Sequence, residues 1–153
     1  MQSRGVIIYT DGASRGNPGP GGYGVVLMYG KHIKELSAGF KRTTNNRMEL
    51  MAVIEGIRAL KTAALPVTVY SDSQYVVNAV TKGWLNNWVR TDFKGGKKNK
   101  DLWMQYYQLA KQFQVRFVWV KGHADNPYNN RCDALATAAA DGNGLTEDLG
   151  FEG

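Results

Sequence analysis

The chain has 153 residues, 43% of them hydrophobic, which suits one globular domain with a full core and leaves little length for a second. No apolar run approaches the roughly 20 residues that a membrane helix needs, and the N-terminal MQSRGVIIYT turns polar at Asp11 before a signal-peptide core could form. A cytoplasmic protein with no membrane partner is therefore expected. Cys132 is the one cysteine, which excludes an intramolecular disulfide and a Cys/His zinc cluster, so any metal must be held by oxygen.

The net charge of +6 hides an asymmetry. All 19 Lys and Arg lie at or before Arg131, whereas Asp141, Glu147, Asp148 and Glu152 follow Ala140. Before Asp141, nine acids face 19 bases, a net +10. Such a body suits a polyanionic partner, because neutralising phosphates releases condensed counterions. Charge alone does not establish one, since many basic proteins bind no nucleic acid.

In chain order, the β-branched run Gly5 to Thr10 predicts a strand ending at Asp11, followed by the turn-forming GASRGNPGPGG. Tyr23 to Tyr29 and His32 to Phe40 read as two more strands, joined tightly around Gly30 into an antiparallel meander. Helical spacing begins at Asn46, with Leu50, Val53, Ile54, Ile57 and Leu60 on one face, and Pro66 forbids its continuation. Val67 to Ser71 is a short strand ending at Asp72, and Ser73 to Val80 a helix; a strand, helix, strand crossover implies parallel pairing.

Lys82 to Lys100 changes character, with six basic residues against Asp92 alone, interleaved with Trp84, Trp88 and Phe93. Asp101 to Phe113 is helical, Val115 to Val120 a fifth strand, and Asn129 to Ala140 an alanine-rich helix. The expected organisation is one α/β domain over residues 1–140, followed by an acidic, mobile tail over 141–153. The architecture is a five-stranded mixed sheet, three antiparallel strands and then parallel additions, with helices on both faces.

Asp11 and Asp72 both end predicted strands, and Glu49 and Asp133 fall near helix starts. Each alone could be a helix cap or dipole partner. Convergence of the four would be different, because like charges without a counter-ion must bind cations or hold protons. All-oxygen ligation with room for water favours Mg²⁺ or Mn²⁺ over zinc, and a pair of such ions can activate a water and stabilise a scissile phosphate.

Four stretches are specific: YTDGASRGNPGPGGYG at Tyr9 to Gly24, TTNNRMELMA at Thr43 to Ala52, YSDSQYV at Tyr70 to Val76, and WVKGHADNPYNNRCDALA at Trp119 to Ala136. Together, and in order over nearly the whole chain, they closely resemble ribonuclease HI of the bacterial type, the type 1 ribonuclease H family. That resemblance implies the ribonuclease H-like fold and a monomer. The implied activity is endonucleolytic hydrolysis of the RNA strand of an RNA–DNA hybrid, leaving 3′-hydroxyl and 5′-phosphate ends with two Mg²⁺ ions when substrate is bound. Mn²⁺ is an implied substitute.

The family's metal-binding carboxylates fall on Asp11, Glu49, Asp72 and Asp133. The resemblance implies that Asp11 bridges the two ions, Asp133 serves the water side, and Glu49 and Asp72 serve the leaving-group side. His123, in KGHADN, matches a loop histidine that assists proton movement or product release, a task suited to the residue type, whose unperturbed pKa is about 6.5; as a residue it also reads as a solvated loop position. His32 carries no motif.

Asn17, Asn45, Asn46 and Gln74 match contacts that read 2′-hydroxyls in a minor groove, although Asn17 and Asn45 are also ordinary turn and cap residues. Arg42, Thr44 and Asn87 match a DNA-phosphate pocket, with Trp84 and Trp88 as an aromatic platform; four residues apart, these two tryptophans share one helical face. Core packing is their other reading. Arg90 to Lys100 is shorter than the family pattern leads one to expect, with Phe93 near the place of another tryptophan. A noncatalytic hybrid-binding module on the same fold would have lost a carboxylate, and none is lost. Junction resolvases and transposase cores share the superfold but lack the TTNNRMEL and GNPGPGG context.

Overall fold

The structure, a computed structural model, describes residues 5–121 and 126–151. Its elements in chain order are β1 (Val6–Ser14), β2 (Gly19–Tyr29), β3 (His32–Thr43), α1 (Asn45–Arg58), β4 (Val67–Ser71), α2 (Gln74–Thr81), α3 (Trp84–Arg90), α4 (Lys100–Ala110), β5 (Val115–Trp119) and α5 (Pro127–Asp141). The sheet order is β3-β2-β1-β4-β5. β1, β2 and β3 pair antiparallel, and β4 and β5 extend the sheet in parallel. The expected mixed sheet is present, and no described helix is long and apolar enough to cross a membrane.

Helices cover both faces because the strands alternate. On one side Ile8, Val25 and Leu27 join Leu50, Val53, Ile54 and Ile57 of α1 in a continuous apolar core. On the other, α5 lies almost on the backbone of β2. A Cβ on Gly24 would stand 2.3 Å from the Cys132 carbonyl oxygen, so this crossing requires glycine on the strand as well as small residues on the helix.

The bounds of β1, β2 and α1 differ from expectation. β1 runs through Asp11 to Ser14 and β2 starts at Gly19, so the glycine-rich run is mostly strand and only residues 15–18 turn. Gly12 and Gly22 serve close approach to α1 and α5, while Gly16, with φ +99°, serves the turn. α1 stops at Arg58, well before Pro66, because the chain needs residues 59–66 to return to the start of β4 beside β1. Within the basic segment, Trp84–Arg90 is helical.

The acidic segment after α5 is docked rather than detached. Lys41 N donates to Thr146 O (2.8 Å) and Thr146 N to Gly39 O (3.1 Å), which adds a short parallel bridge to the free edge of β3. This delivers Asp148 to Arg47, both only 2% exposed. Arg47 forks onto Asp148 (2.7 and 3.0 Å) and onto Asp101 at the start of α4 (2.9 and 2.7 Å), while Thr43 Oγ1 also donates to Asp148 (2.7 Å). Composition shows a surplus of acid there; only tertiary structure shows that part of it neutralises a buried guanidinium. Asp148→Ala leaves that cation short of a partner and is expected to lower the unfolding free energy by about 3 kcal/mol in urea titrations. A loss under about 1 kcal/mol would mean Asp101 alone satisfies Arg47.

Candidate active site

Strand register brings the first two carboxylates together. β1 and β4 run in parallel with Tyr9 opposite Tyr70 and Thr10 opposite Ser71, so Asp11, still in β1, and Asp72, just past the end of β4, are the next residues along the two chain segments. The alignment is held by stacked Tyr9 and Tyr70 rings, 4.6 Å apart, and by Thr10 Oγ1 donating to Tyr70 O (3.1 Å). Glu49 reaches the same point from α1, whose approach depends on Gly12: a Cβ there would stand 2.4 Å from Glu49 N.

None of these acids is a cap. The N-caps of α1, α2 and α5 are Thr44, Ser73 and Asn126, each accepting a backbone N–H from the first turn, and no acid lies in those first turns. The competing structural role of the carboxylates is therefore filled by other side chains.

Asp11, Glu49 and Asp72 each offer an oxygen within 4.8 Å of the other two. Asp11 and Glu49 are buried, and no ion pair among the described residues includes any of the three. Glu49 Oε1 and Asp72 Oδ1 are buried without a hydrogen-bond partner, while Asp11 Oδ1 accepts from Gly12 N (2.8 Å). Burial, reinforced by the charge of Asp72, pushes the Asp11 carboxyl up to about 8. Burial and the Asp11 and Asp72 charges raise Glu49 well above the carboxylate range, and burial raises Asp72 as well. Orphaned, hard oxygens facing one another are the donor set a divalent cation requires. The residues fit such an ion.

Asp133 is the exception to full convergence. It lies in the second turn of α5, exposed, and outside the tight group of three. Its charge still acts on Asp11 and Asp72. The arrangement is three carboxylates together and a fourth at the rim.

The family model described as RNase H matches residues 3–141. The chain belongs to the RNase H family. It is 55% identical over 153 residues to a ribonuclease H from Lachnoclostridium phytofermentans, covering 94% of this chain and 96% of that one. Against a ribonuclease H from Syntrophus aciditrophicus the identity is 54% over 150 residues, with 95% and 86% covered. Among solved structures it is similar to LC9-RNase H1, a type 1 RNase H with the type 2 active-site motif (TM-score 0.79, 30% identity, 92% of this chain and 74% of that one). LC11-RNase H1 in complex with RNA/DNA hybrid gives a TM-score of 0.68 at 28% identity, with 89% and 96% covered.

Of the remaining residues suggested by the RNase H motifs, Asn17 and Asn45 meet: Asn45 N donates to Asn17 Oδ1 (3.1 Å), pinning the glycine-rich loop to the start of α1. Thr44 caps that helix, its hydroxyl accepting from Arg47 N (3.2 Å), and Asn46 is exposed in the first turn. Gln74 is exposed at the start of α2. Arg42 is exposed with its guanidinium 5.8 Å from the centre of the Phe151 ring. On α3, Asn87 accepts from Arg90.

The tryptophan pair divides. Trp84 is 41% exposed, whereas Trp88 is half-buried against Tyr75, Phe93 and Trp103. Only Trp84 presents a largely open ring. His123 lies outside the described residues.

Two residues carry no role in the sequence reading. Arg47 sits inside TTNNRMELMA, but its partners are distant in sequence. Asn129 is buried one turn before Asp133 with Oδ1 unpartnered; the polar run NNRCD was its one available signal.

The raised carboxyls set the sign of a pH dependence. Unfolded, Asp11 ionises near 3.8; folded and metal-free, it keeps its proton to about 8. The folded state binds more protons between those values, so its stability falls as pH rises from about 4 to about 8. Asp11→Asn removes that titration. Melting in EDTA should show a shallower decline over this range for Asp11→Asn, and a higher Tm than the parent at pH 8. Parallel profiles would show that Asp11 is not held in its neutral form.

Proposed function

We propose that this chain is an endonuclease that hydrolyses the RNA strand of RNA–DNA hybrids, using Mg²⁺ held by Asp11, Glu49, Asp72 and Asp133 and acting as a cytoplasmic monomer. The observation that carries the reading is the trio of Asp11, Glu49 and Asp72, within 4.8 Å of one another and paired to no basic side chain among the described residues, in a chain that aligns over 94% of its length with a ribonuclease H. The LC11-RNase H1 complex supports the hybrid as substrate. Bound divalent ions supply the positive charge that activates water and stabilises the scissile phosphate, leaving 3′-hydroxyl and 5′-phosphate ends.

The chain's own residues do the rest. Asp11, Glu49 and Asp72, mutually within 4.8 Å, would hold the ions together. Asp133, exposed at the rim, faces the solvent from which water enters. Asn17, Asn45, Asn46 and Gln74 offer neutral donors and acceptors to 2′-hydroxyls, the chemistry that separates RNA from DNA. Arg42, Thr44 and Asn87 hold a DNA phosphate, Trp84 provides a stacking face with Trp88 packed behind it, and His123 moves protons near neutral pH.

A labelled hybrid incubated with protein and Mg²⁺ should lose its RNA strand, and Asp11→Asn should lower kcat by more than about 10³-fold. A folded protein that spares hybrid while cutting duplex DNA or junctions overturns the assignment.

Substrate affinity should fall as salt rises. Lys97 lies 5.7 Å from the Trp88 ring centre, beside the exposed Lys98 in the loop before α4. Reversing both charges should raise KM several-fold with little change in kcat, as loss of uniform binding requires. Equal kinetics at 50 and 200 mM salt would make this loop only a solvated turn.

A further inference from the structure

The segment after α5 meets the end of β3 at three consecutive residues. Lys41 N donates to Thr146 O (2.8 Å) and Thr43 Oγ1 donates to Asp148 Oδ2 (2.7 Å). Between them, the Arg42 guanidinium carbon lies 5.8 Å from the centre of the Phe151 ring. The ring is itself held: Phe151 N donates to Asp148 O (3.1 Å), and the Arg47 guanidinium carbon lies 5.9 Å from the same ring centre. Arg47 is fixed in turn by Asp101 and Asp148. Gly150 lets the segment pass this close, because a Cβ there would stand 1.8 Å from Asp101 Oδ2 and 3.0 Å from Arg47 Nη2. Exposure rises along the series, from buried Arg47 through half-buried Phe151 to exposed Arg42.

An acidic segment beside a phosphate contact would ordinarily oppose it. Here the Asp148 carboxylate is turned inward, 2% exposed, and an uncharged ring is turned to Arg42. A ring attracts a guanidinium without neutralising its charge, whereas a carboxylate would cancel its pull on a phosphate. An exposed arginine also loses rotamer freedom when it binds, and a ring that already holds it lowers that cost.

We infer that Phe151 is a positioning residue for substrate binding: the docked segment sets its ring against Arg42 and so prepares that guanidinium for a phosphate of the hybrid. The inference rests on the reading of Arg42 as a phosphate contact and adds to it a residue that touches no substrate.

The test is steady-state cleavage of a labelled hybrid with Mg²⁺ by the full chain. The proteins are the parent, Phe151→Leu, Phe151→Tyr, Arg42→Gln and the double variant of Phe151→Leu with Arg42→Gln, each shown to be folded by urea titration. Phe151→Leu is expected to raise KM about threefold, the scale of one exposed cation–ring contact, and to leave kcat within about 1.5-fold of the parent. Phe151→Tyr keeps the ring and should match the parent in both. Arg42→Gln should raise KM further and reduce the slope of log KM against log salt by about 1. The double variant should match Arg42→Gln, because Phe151 acts only through that arginine.

An unmoved KM in Phe151→Leu overturns the inference, as does a loss that Phe151→Tyr shares. A rise in KM that recurs in the Arg42→Gln background overturns it too, assigning the effect to packing of the segment at large. If Arg42→Gln changes neither KM nor its salt dependence, the phosphate reading of Arg42 fails and the inference falls with it. A hybrid left uncut by the parent fails the proposed activity itself, and both claims built on it.

Discussion

The structure is organised around a repulsion. Three carboxylates, on β1, on α1 and just past β4, are held within a few ångströms, two of them buried, with no basic side chain among the described residues paired to them. Folding must therefore supply enough favourable burial elsewhere to hold β1, β4 and α1 in that relation. The parallel register, the Tyr9–Tyr70 stack and the Gly12 approach all fix backbone, leaving the side chains little freedom to separate. The metal-free site keeps protons in place of cations, which makes ion binding and proton release two descriptions of one equilibrium.

A second group of charges is arranged in the opposite sense. Arg47, two residues before Glu49 on α1, is surrounded by Asp101 and Asp148 with Asn99 alongside. Acid without base marks the reactive side of the helix start, and base with two acids marks its anchored side. Asn45, hydrogen-bonded to Asn17, lies in the same first turn. One turn and a half of α1 thus meets the glycine-rich loop, the carboxylate cluster and the anchor, so small errors in its placement would reach all three. The tryptophan that packs into Tyr75 does a similar service on the other side, joining the basic α3 to the residue three beyond Asp72.

Much of this was legible in the residues. Val67–Ser71 coincides with its predicted strand because a short β-branched run between Pro66 and a polar turn has few alternatives. The meeting of Asp11, Glu49 and Asp72 was legible through motif context and not through local chemistry, since an acid at a strand end or helix start is ordinary. What decided against the cap reading was the identity of the actual caps: Thr44 and Asn126, which precede the helices that carry Glu49 and Asp133, and Ser73, which directly follows Asp72. The glycine-rich run misled in part because Gly12 and Gly22 are used for their missing side chains, and only Gly16 for its turn propensity. The docked acidic segment was illegible because Arg47 and Asp148 are 101 positions apart and nothing local announces a pair.

That separation bears on how the protein folds as well as on what it withstands. A contact closing so long a loop is entropically expensive and tends to form late. Until it does, any compact intermediate that has already sunk Arg47 beneath α1 carries an under-neutralised cation in its interior. Partly assembled forms are penalised for being partly assembled, and the ion cluster acts as a source of cooperativity: the body and the segment that carries Thr146 and Asp148 stand or fall together.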